Sequence, residues 1–163
     1  MKSDINELDE LFMREAIRQA EEARSEGEVP IGAVAVRDSR IVSRGHNQRR
    51  SLQDITAHAE MMAIRDLSPK LRSLDLDGVT IYSTLEPCAM CAGAMLHYGV
   101  DRVVYGAKDL KLGAVDSAFH VLNGTGIEVR SGVCRSECEA ILLKFFEKEL
   151  GKPSKSWEDI TLE

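Results

Sequence analysis

The sequence predicts an α/β fold with three layers, in which helices cover both faces of a mixed central sheet. Two patterns support this fold class. Some segments repeat apolar residues every three or four positions, as a helix with one buried face does, whereas others are short β-branched runs. In chain order the segments alternate as α-β-β-α-β-α-β-α, and no repeat, linker or low-complexity segment interrupts them. We therefore expect a single domain over the 163 residues, 1–163.

The first half of the chain predicts a helix, a hairpin and a second helix. The first helix has one apolar face over residues 8–23 and ends near Gly27. Two β-branched runs, residues 31–36 and 41–45, flank the polar turn "RDSR" and predict a β-hairpin. A polar loop follows, and Thr56 after it is a candidate N-cap for the next helix.

The second half predicts two strands that alternate with two helices. Pro87 suits the first turn of the earlier helix, because a missing N–H costs nothing there, and Gly99 ends that helix. Gly151 and Pro153 stop the last helix. The predicted elements are strands over residues 79–84 and 102–106 and helices over residues 87–98 and 136–150, and a longer loop leads from the second strand to "IEVRSG" at residues 127–132.

Composition and charge exclude several classes of protein. Hydrophobic residues make up 44% of the chain and charged residues 29%, as in a globular protein. No apolar run is long enough to span a membrane, and the acidic N-terminus is unlike a signal peptide, so we expect a cytoplasmic protein with no membrane partner. In that compartment the four cysteines stay reduced. The net charge of −6 argues against a broad basic surface for nucleic acid.

Two short motifs place three metal-binding side chains and a carboxylate at the starts of two predicted helices. "TAHAEMMAI" contains His58 and Glu60, and "LEPCAMCAGAM" contains Cys88 and Cys91. The two cysteines can bind one ion, and a helix N-terminus favours their thiolate forms. With His58 they make three ligands, the number that leaves a tetrahedral zinc with an open position for water. We therefore predict one Zn²⁺ per chain, with Glu60 placed to move a proton at the bound water.

Other interpretations of the same residues stay open. A Cys-x-x-Cys motif alone can be redox-active or part of a structural zinc site. A four-cysteine site that included Cys134 and Cys138 would leave His58 and Glu60 unexplained, and these two cysteines are better explained as packing residues near the last helix. A zinc-stabilised binding module without turnover is a further alternative, which has no use for a carboxylate beside the metal.

These motifs and their surroundings resemble the cytidine-deaminase-like superfamily, and the resemblance covers nearly the whole chain. The stretches "VPIGAVAV", "TAHAEMMAI", "TLEPCAMCAGAMLH" and "VVYGAKDLKLGAVDS" are similar to bacterial tRNA adenosine deaminases, which make inosine at the wobble position. The stretches "SRGHNQR", "HYGVDR" and "SWEDITLE" are similar to fungal-type cytosine deaminase, which acts on the free base. Two departures count against the tRNA enzymes: "VLNGTG" is shorter than their insertion, and the C-terminus lacks their strongly basic last helix.

The resemblance implies a zinc-dependent hydrolytic deaminase that releases ammonia, with the three-layer fold of the superfamily and a homodimer as the expected assembly. It assigns proton transfer to Glu60 and zinc binding to His58, Cys88 and Cys91.

The substrate is predicted from the tail and the net charge together. We expect a free base, cytosine or a close analogue, as the small-molecule partner. Wobble adenosine in tRNA is the alternative, and guanine or another small aminated ring is a further one. By resemblance, Asn47 and the backbone N–H of Ala59 would contact the base, whereas Trp157 and Asp159 in the tail would close the pocket over it.

Overall fold

The computed structural model describes residues 2–151, 153 and 156–162, which form six helices and a five-stranded sheet. No helix among these residues is both long and apolar enough to cross a membrane. The elements are α1 (Lys2–Ser25), β1 (Gly32–Arg37), β2 (Arg40–His46), α2 (Arg49–Leu52), α3 (Ala59–Leu71), β3 (Val79–Leu85), α4 (Ala89–Tyr98), β4 (Arg102–Ala107), β5 (Glu128–Arg130), α5 (Arg135–Leu150) and α6 (Trp157–Leu162).

The sheet is mixed, as predicted, and its strand order is β2-β1-β3-β4-β5. β1 pairs antiparallel with β2 and β3, whereas β3, β4 and β5 run parallel. Successive residues of β3 face opposite sides of the sheet. Ile81 packs in one core with Leu67 of α3 and Met95 of α4. Tyr82 packs in the other core with Phe12 of α1 and with apolar residues of α5. Helices therefore cover both faces, which confirms the three-layer α/β/α fold.

Two glycines let helices lie very close to the sheet. A Cβ atom added at Gly45 of β2 would collide with the backbone of α3, at the Ala59 carbonyl oxygen and the Ala63 nitrogen. A Cβ atom at Gly32 of β1 would collide in the same way with the backbone of α1 at Ala16. Each glycine therefore fixes the distance between a helix and the sheet. Gly45 does so at the first turn of α3, where the predicted site residues lie.

The two helices that carry the site begin later than the sequence predicted. α3 begins at Ala59, with His58 and not Thr56 at its N-cap. The backbone N–H and the hydroxyl of Thr56 both bond to the carboxylate of Asp54, so Thr56 belongs to the preceding turn. In α4 the N-cap is Cys88, and the proline before it lies outside the helix. Two predicted zinc ligands therefore occupy N-cap positions.

Asp9 joins α1 to three strands. Its carboxylate is 1% exposed and accepts a hydrogen bond from the Tyr82 hydroxyl at 2.6 Å. It also accepts two hydrogen bonds from Arg102, at 2.7 and 2.8 Å, and one from Arg130. Burial by itself would raise the pKa of Asp9, but the hydrogen bonds from Arg102 and Tyr82 outweigh it and lower this pKa. The buried charge is therefore paired, as buried carboxylates must be to persist in a stable fold.

We expect Gly45→Ala to lower the free energy of unfolding by about 1–3 kcal/mol, because the new methyl group would overlap the backbone of α3. Gly93→Ala is the matched control. Gly93 lies within α4 with nothing within 4 Å of an added Cβ, so this variant should gain about 0.5–1 kcal/mol. Urea denaturation measures both changes. Equal midpoints for the two variants would contradict the close contact between β2 and α3.

Candidate active site and metal centre

The three predicted zinc ligands lie together where α3 and α4 begin, beside the carboxyl end of β3. His58 and Cys88 are the N-cap residues of the two helices, and Cys91 lies in the first turn of α4. β3 ends at Leu85, so Cys88 follows the sheet after a short turn. The backbone position of each ligand is therefore set by the first turn of a helix.

The donor atoms have the separations that a tetrahedral zinc requires. His58 Nδ1 lies 3.5 Å from Cys88 Sγ and 3.6 Å from Cys91 Sγ, and the two sulfur atoms are 3.8 Å apart. Bonds of about 2.3 Å to sulfur and about 2.0 Å to nitrogen, at tetrahedral angles, place nitrogen and sulfur about 3.5 Å apart and the two sulfurs about 3.8 Å apart. These three residues therefore form a site that fits one zinc ion.

Contacts among the three side chains shift their pKa values. The hydrogen bond with Cys91 lowers the pKa of Cys88, and the bond with His58 lowers it further. The bond between the two sulfurs and burial both raise the pKa of Cys91. The hydrogen bond with Cys88 raises the pKa of His58. The donor set therefore gathers thiol and imidazole groups in a largely buried place, where a bound cation would displace their protons.

Glu60 is the second residue of α3 and is 4% exposed. One of its carboxylate oxygens lies 3.2 Å from the Ser83 hydroxyl of β3. Burial raises the pKa of Glu60, so this carboxyl group keeps a proton more readily than an exposed one does. Ala59, just before it, is the first residue of the helix, where backbone N–H groups have no partner within the helix. The first turn of α3 thus places a buried carboxyl group beside a backbone N–H that has no partner within the helix.

A cavity of about 230 Å³ opens beside the metal ligands. His58, Glu60 and Cys88 contribute to its lining. Apolar side chains from other parts of the chain, among them Leu85 and Phe146, line it as well. An apolar cavity with a few convergent polar groups is the usual form of a site for a small ring system.

Asn47 lies in the lining of this cavity, where the sequence predicted a base-binding residue. The side chain is buried, and its amide nitrogen donates to the Val29 carbonyl oxygen at 3.2 Å. Its amide oxygen accepts from the Arg49 backbone N–H at 3.2 Å. These two bonds fix the orientation of the amide and leave one N–H and one oxygen lone pair to meet a ligand.

The two predicted residues of the tail lie in different places. Trp157 is buried in the cavity lining, where its indole N–H donates to the Lys108 carbonyl oxygen at 2.6 Å. Its ring centroid lies 5.8 Å from that of Phe146. Asp159 is exposed and does not belong to the cavity lining, and its backbone N–H bonds to the Ser156 hydroxyl. Residues two apart on a helix face nearly opposite directions, so α6 brings Trp157 to the site and turns Asp159 away.

Cys134 and Cys138 lie at the start of α5, on the face of the sheet opposite the metal site. Cys138 is buried with its sulfur against Gly106 of β4, and burial raises the pKa of its thiol. The two residues therefore pack in the second core, as predicted, and do not complete a four-cysteine site with Cys88 and Cys91.

Sequence reasoning missed two buried carboxylates near the cavity. Glu28 accepts hydrogen bonds from the backbone N–H groups of Arg50 and Ser51 in α2. Glu86, between β3 and α4, is 2% exposed and belongs to the cavity lining. Both residues lie in irregular segments, where apolar periodicity gives no signal. One indication of a role for Glu86 was available in the sequence, namely its position directly between an apolar strand and the Pro-Cys motif.

A three-layer α/β/α fold that holds a His-Cys-Cys zinc site beside a buried glutamate is the arrangement of enzymes that hydrolyse the bond between a ring carbon and the exocyclic amino nitrogen of an aminated base. The protein is thus a zinc-dependent hydrolytic deaminase. A family model described as "Cytidine and deoxycytidylate deaminase zinc-binding region" matches residues 6–107, and the chain belongs to this deaminase family.

Known proteins of similar sequence are named as enzymes of tRNA. The chain is similar to the tRNA-specific adenosine deaminase of Bacillus subtilis (strain 168), at 45% identity over 152 residues, 91% of this chain and 94% of the relative. It is similar to that of Haemophilus influenzae at 45% identity over 149 residues, 88% of this chain and 86% of the relative. A solved structure from a study of "A-to-I Editing by tRNA:A34 Deaminases at the Wobble Position of Transfer RNA" matches with a TM-score of 0.77 and 42% identity. The match covers 80% of this chain and 98% of the chain in the solved structure.

The prediction of free cytosine as the substrate, and of a small-molecule base as the favoured partner, is wrong. Relatives that match nearly the whole chain are named tRNA-specific adenosine deaminases. The prediction rested on the net charge of −6 and on the tail. Net charge averages over the whole surface and does not report that Arg49 lies in the cavity lining. The tail argument weakens because Asp159 lies outside that lining.

The purified protein should contain about one zinc ion per chain. Cys88→Ser and Cys91→Ser should each lose it, because a hydroxyl group is a much poorer zinc ligand than a thiolate. Cys134→Ser and Cys138→Ser are the matched controls and should keep the zinc, since their sulfurs lie on the other face of the sheet. Elemental analysis of the purified variants measures the metal content. Zinc loss from either control would refute the three-ligand site.

Proposed function

We propose that the protein deaminates adenosine at the wobble position of tRNA and so produces inosine. The observation that carries the proposal is the 45% identity to a tRNA-specific adenosine deaminase over 91% of this chain and 94% of the relative. The solved structure from the study of tRNA:A34 deaminases supports the same substrate, because it matches at 42% identity and a TM-score of 0.77.

The cavity and its surroundings support a single base presented by a nucleic acid. A cavity of about 230 Å³ has room for one base and not for an anticodon loop, so the target base must be extruded from its stack. Arg49 contributes to the cavity lining, and Arg50 follows it in α2. Guanidinium groups bind phosphate oxygens well, which suits an RNA backbone beside the cavity. Arg50 also pairs with Glu149 at 3.3 Å, so a phosphate there would compete with an existing ion pair.

Glu60 is the proposed proton carrier of the reaction. A zinc ion at the three-ligand site supplies Lewis acidity and a bound water whose pKa falls to about 7. Glu60 takes a proton from the water that attacks C6 and delivers it to ring nitrogen N1. It then moves the second proton of that oxygen to the amino nitrogen, the C6–N bond breaks, and ammonia leaves. The oxygen stays on C6 as the carbonyl of inosine, and N1 keeps its proton.

Other residues of the cavity would orient the base. Asn47 has one amide N–H and one lone pair left after its bonds to the backbone, enough to meet a donor and an acceptor on the ring edge. The N–H of Ala59 would donate to a ring nitrogen from the first turn of α3. Trp157 would offer an aromatic surface for stacking, since its side chain belongs to the lining.

Glu60→Gln should keep its zinc and its fold but lose turnover by about 10²–10⁴-fold, the usual contribution of one general acid–base group. The amide has the same shape and cannot carry the proton. Inosine formation under single-turnover conditions and zinc content measure the two effects. Glu22→Gln, at an exposed position of α1, is the control with full turnover. Near-normal turnover of the Glu60 variant would remove this residue from the proposed mechanism.

Incubation with a tRNA that has adenosine at the wobble position should produce inosine there, as read by sequencing. Free cytosine, cytidine and guanine should release no ammonia.

KM for the tRNA should rise steeply between about 50 and about 200 mM salt, because protein cations that bind phosphates release counterions from the RNA. Arg49→Gln should raise KM and reduce the slope of log KM against log salt concentration by roughly one. Arg18→Gln, at an exposed position of α1, should change neither quantity. Conversion of a free base without conversion of the tRNA would overturn the proposed function.

A further inference from the structure

Glu86 accepts an unusual number of hydrogen bonds for one buried carboxylate. It lies between β3 and the zinc ligand Cys88 and is 2% exposed. The donors all come from one later segment, residues 109–117, which we call the 109–117 loop. Oε1 accepts from the backbone N–H groups of Val115, Asp116 and Ser117 at 3.2, 2.7 and 2.9 Å, and Oε2 accepts from the Asp109 N–H at 3.1 Å and from the Ser117 hydroxyl.

The 109–117 loop wraps closely around this carboxylate. A Cβ atom added at Gly113 would collide with the Glu86 carboxylate and with the Asp109 carbonyl oxygen. The next residue, Ala114, donates its N–H to the Pro87 carbonyl oxygen at 2.8 Å, and Gly113 forms an isolated β-bridge with Cys88. The loop is therefore attached to the same short turn that presents a zinc ligand.

The other side of the 109–117 loop reaches the cavity. Asp109 and Leu112 both belong to the cavity lining. The Asp109 carboxylate accepts the N–H groups of Lys111 and Leu112, each at 3.0 Å, which folds this part of the loop into a tight turn. Leu112 is 57% exposed at the cavity, so its side chain is available to a ligand that enters. The position of both lining residues depends on where the loop is held.

We propose that Glu86 is a positioning residue for the substrate. Its carboxylate holds the 109–117 loop against the zinc-ligand turn, so that Asp109 and Leu112 form one wall of the site in a fixed relation to the metal. Glu86 does not itself contact the reacting atoms in this proposal. The role in substrate binding rests on the proposed function, whereas the role in holding the loop does not.

Glu86→Gln tests the proposal with little change of shape. If the amide oxygen takes the place of Oε1, it keeps the three N–H donors of residues 115–117. The amide NH₂ group then faces the backbone N–H of Asp109. Because both groups are hydrogen-bond donors, the Asp109 N–H loses its acceptor. The disturbance should therefore fall on the part of the loop that lines the cavity. Gly113→Ala disturbs the same contact from the loop side and is the second variant.

Hydrogen exchange on the zinc-loaded, full-length protein measures the loop directly. In both variants the amides of residues 109–112, in the part of the loop that lines the cavity, should exchange at least about tenfold faster than in the wild type, while zinc content and exchange in α3 stay unchanged. Asp9→Asn is the matched control. It also removes the charge of a buried, hydrogen-bonded carboxylate, but one that joins α1 to β3, β4 and β5. It should lower Tm without a selective effect on the loop.

Steady-state kinetics on the tRNA test the consequence for binding. The two loop variants should raise KM by about tenfold or more with kcat nearly unchanged, because they weaken contacts that bind the substrate equally in the ground state and in the transition state. A merely destabilising change, as in Asp9→Asn, should lower the active fraction and leave KM alone. Unchanged loop exchange in both variants, or a fall in kcat with KM unchanged, would overturn the proposal. If the wild type does not convert the tRNA, the proposed function fails, and the exchange experiment still decides whether Glu86 holds the loop.

Discussion

The geometry of the zinc site depends on how closely α3 lies against β2. Gly45 has no side chain, and the backbone of α3 occupies the space that a Cβ atom would fill. This contact sets the position of His58, the N-cap of α3, relative to the sheet from which Cys88 follows. The close packing of α3 on β2 therefore helps to set the separations of 3.5 and 3.6 Å between the His58 nitrogen and the two sulfurs.

The fold and the metal ligands could be predicted because both depend on short-range patterns. Apolar periodicity identifies elements that bury one face, and the spacing of Cys88 and Cys91 is a property of one helical turn. Where α3 begins could not be predicted, because Thr56 can either cap the helix or bond to Asp54, and in the structure its hydroxyl bonds to Asp54. Similarly, nothing near Glu86 in sequence predicts its role, since its partners lie 23 to 31 residues later.

The substrate was the weakest part of the sequence-based prediction, since it depends on how distant segments meet. The tail was expected to bring two residues to the base, but Trp157 and Asp159 lie on nearly opposite faces of α6, and only Trp157 of the two belongs to the cavity lining. The net charge of −6 was read as evidence against RNA, although a single cavity can have arginine at its edge within an acidic chain. The homodimer concerns contacts between chains and stays a prediction.

Asp9 also has a consequence for the growing chain on the ribosome. Its partners Tyr82, Arg102 and Arg130 follow it by 73, 93 and 121 positions. During synthesis, α1 therefore emerges with a carboxylate whose hydrogen-bond partners have not yet been made, and the last of them, Arg130, follows only with β5. The carboxylate of Asp9 therefore completes its hydrogen bonds only after all five strands of the sheet have been made.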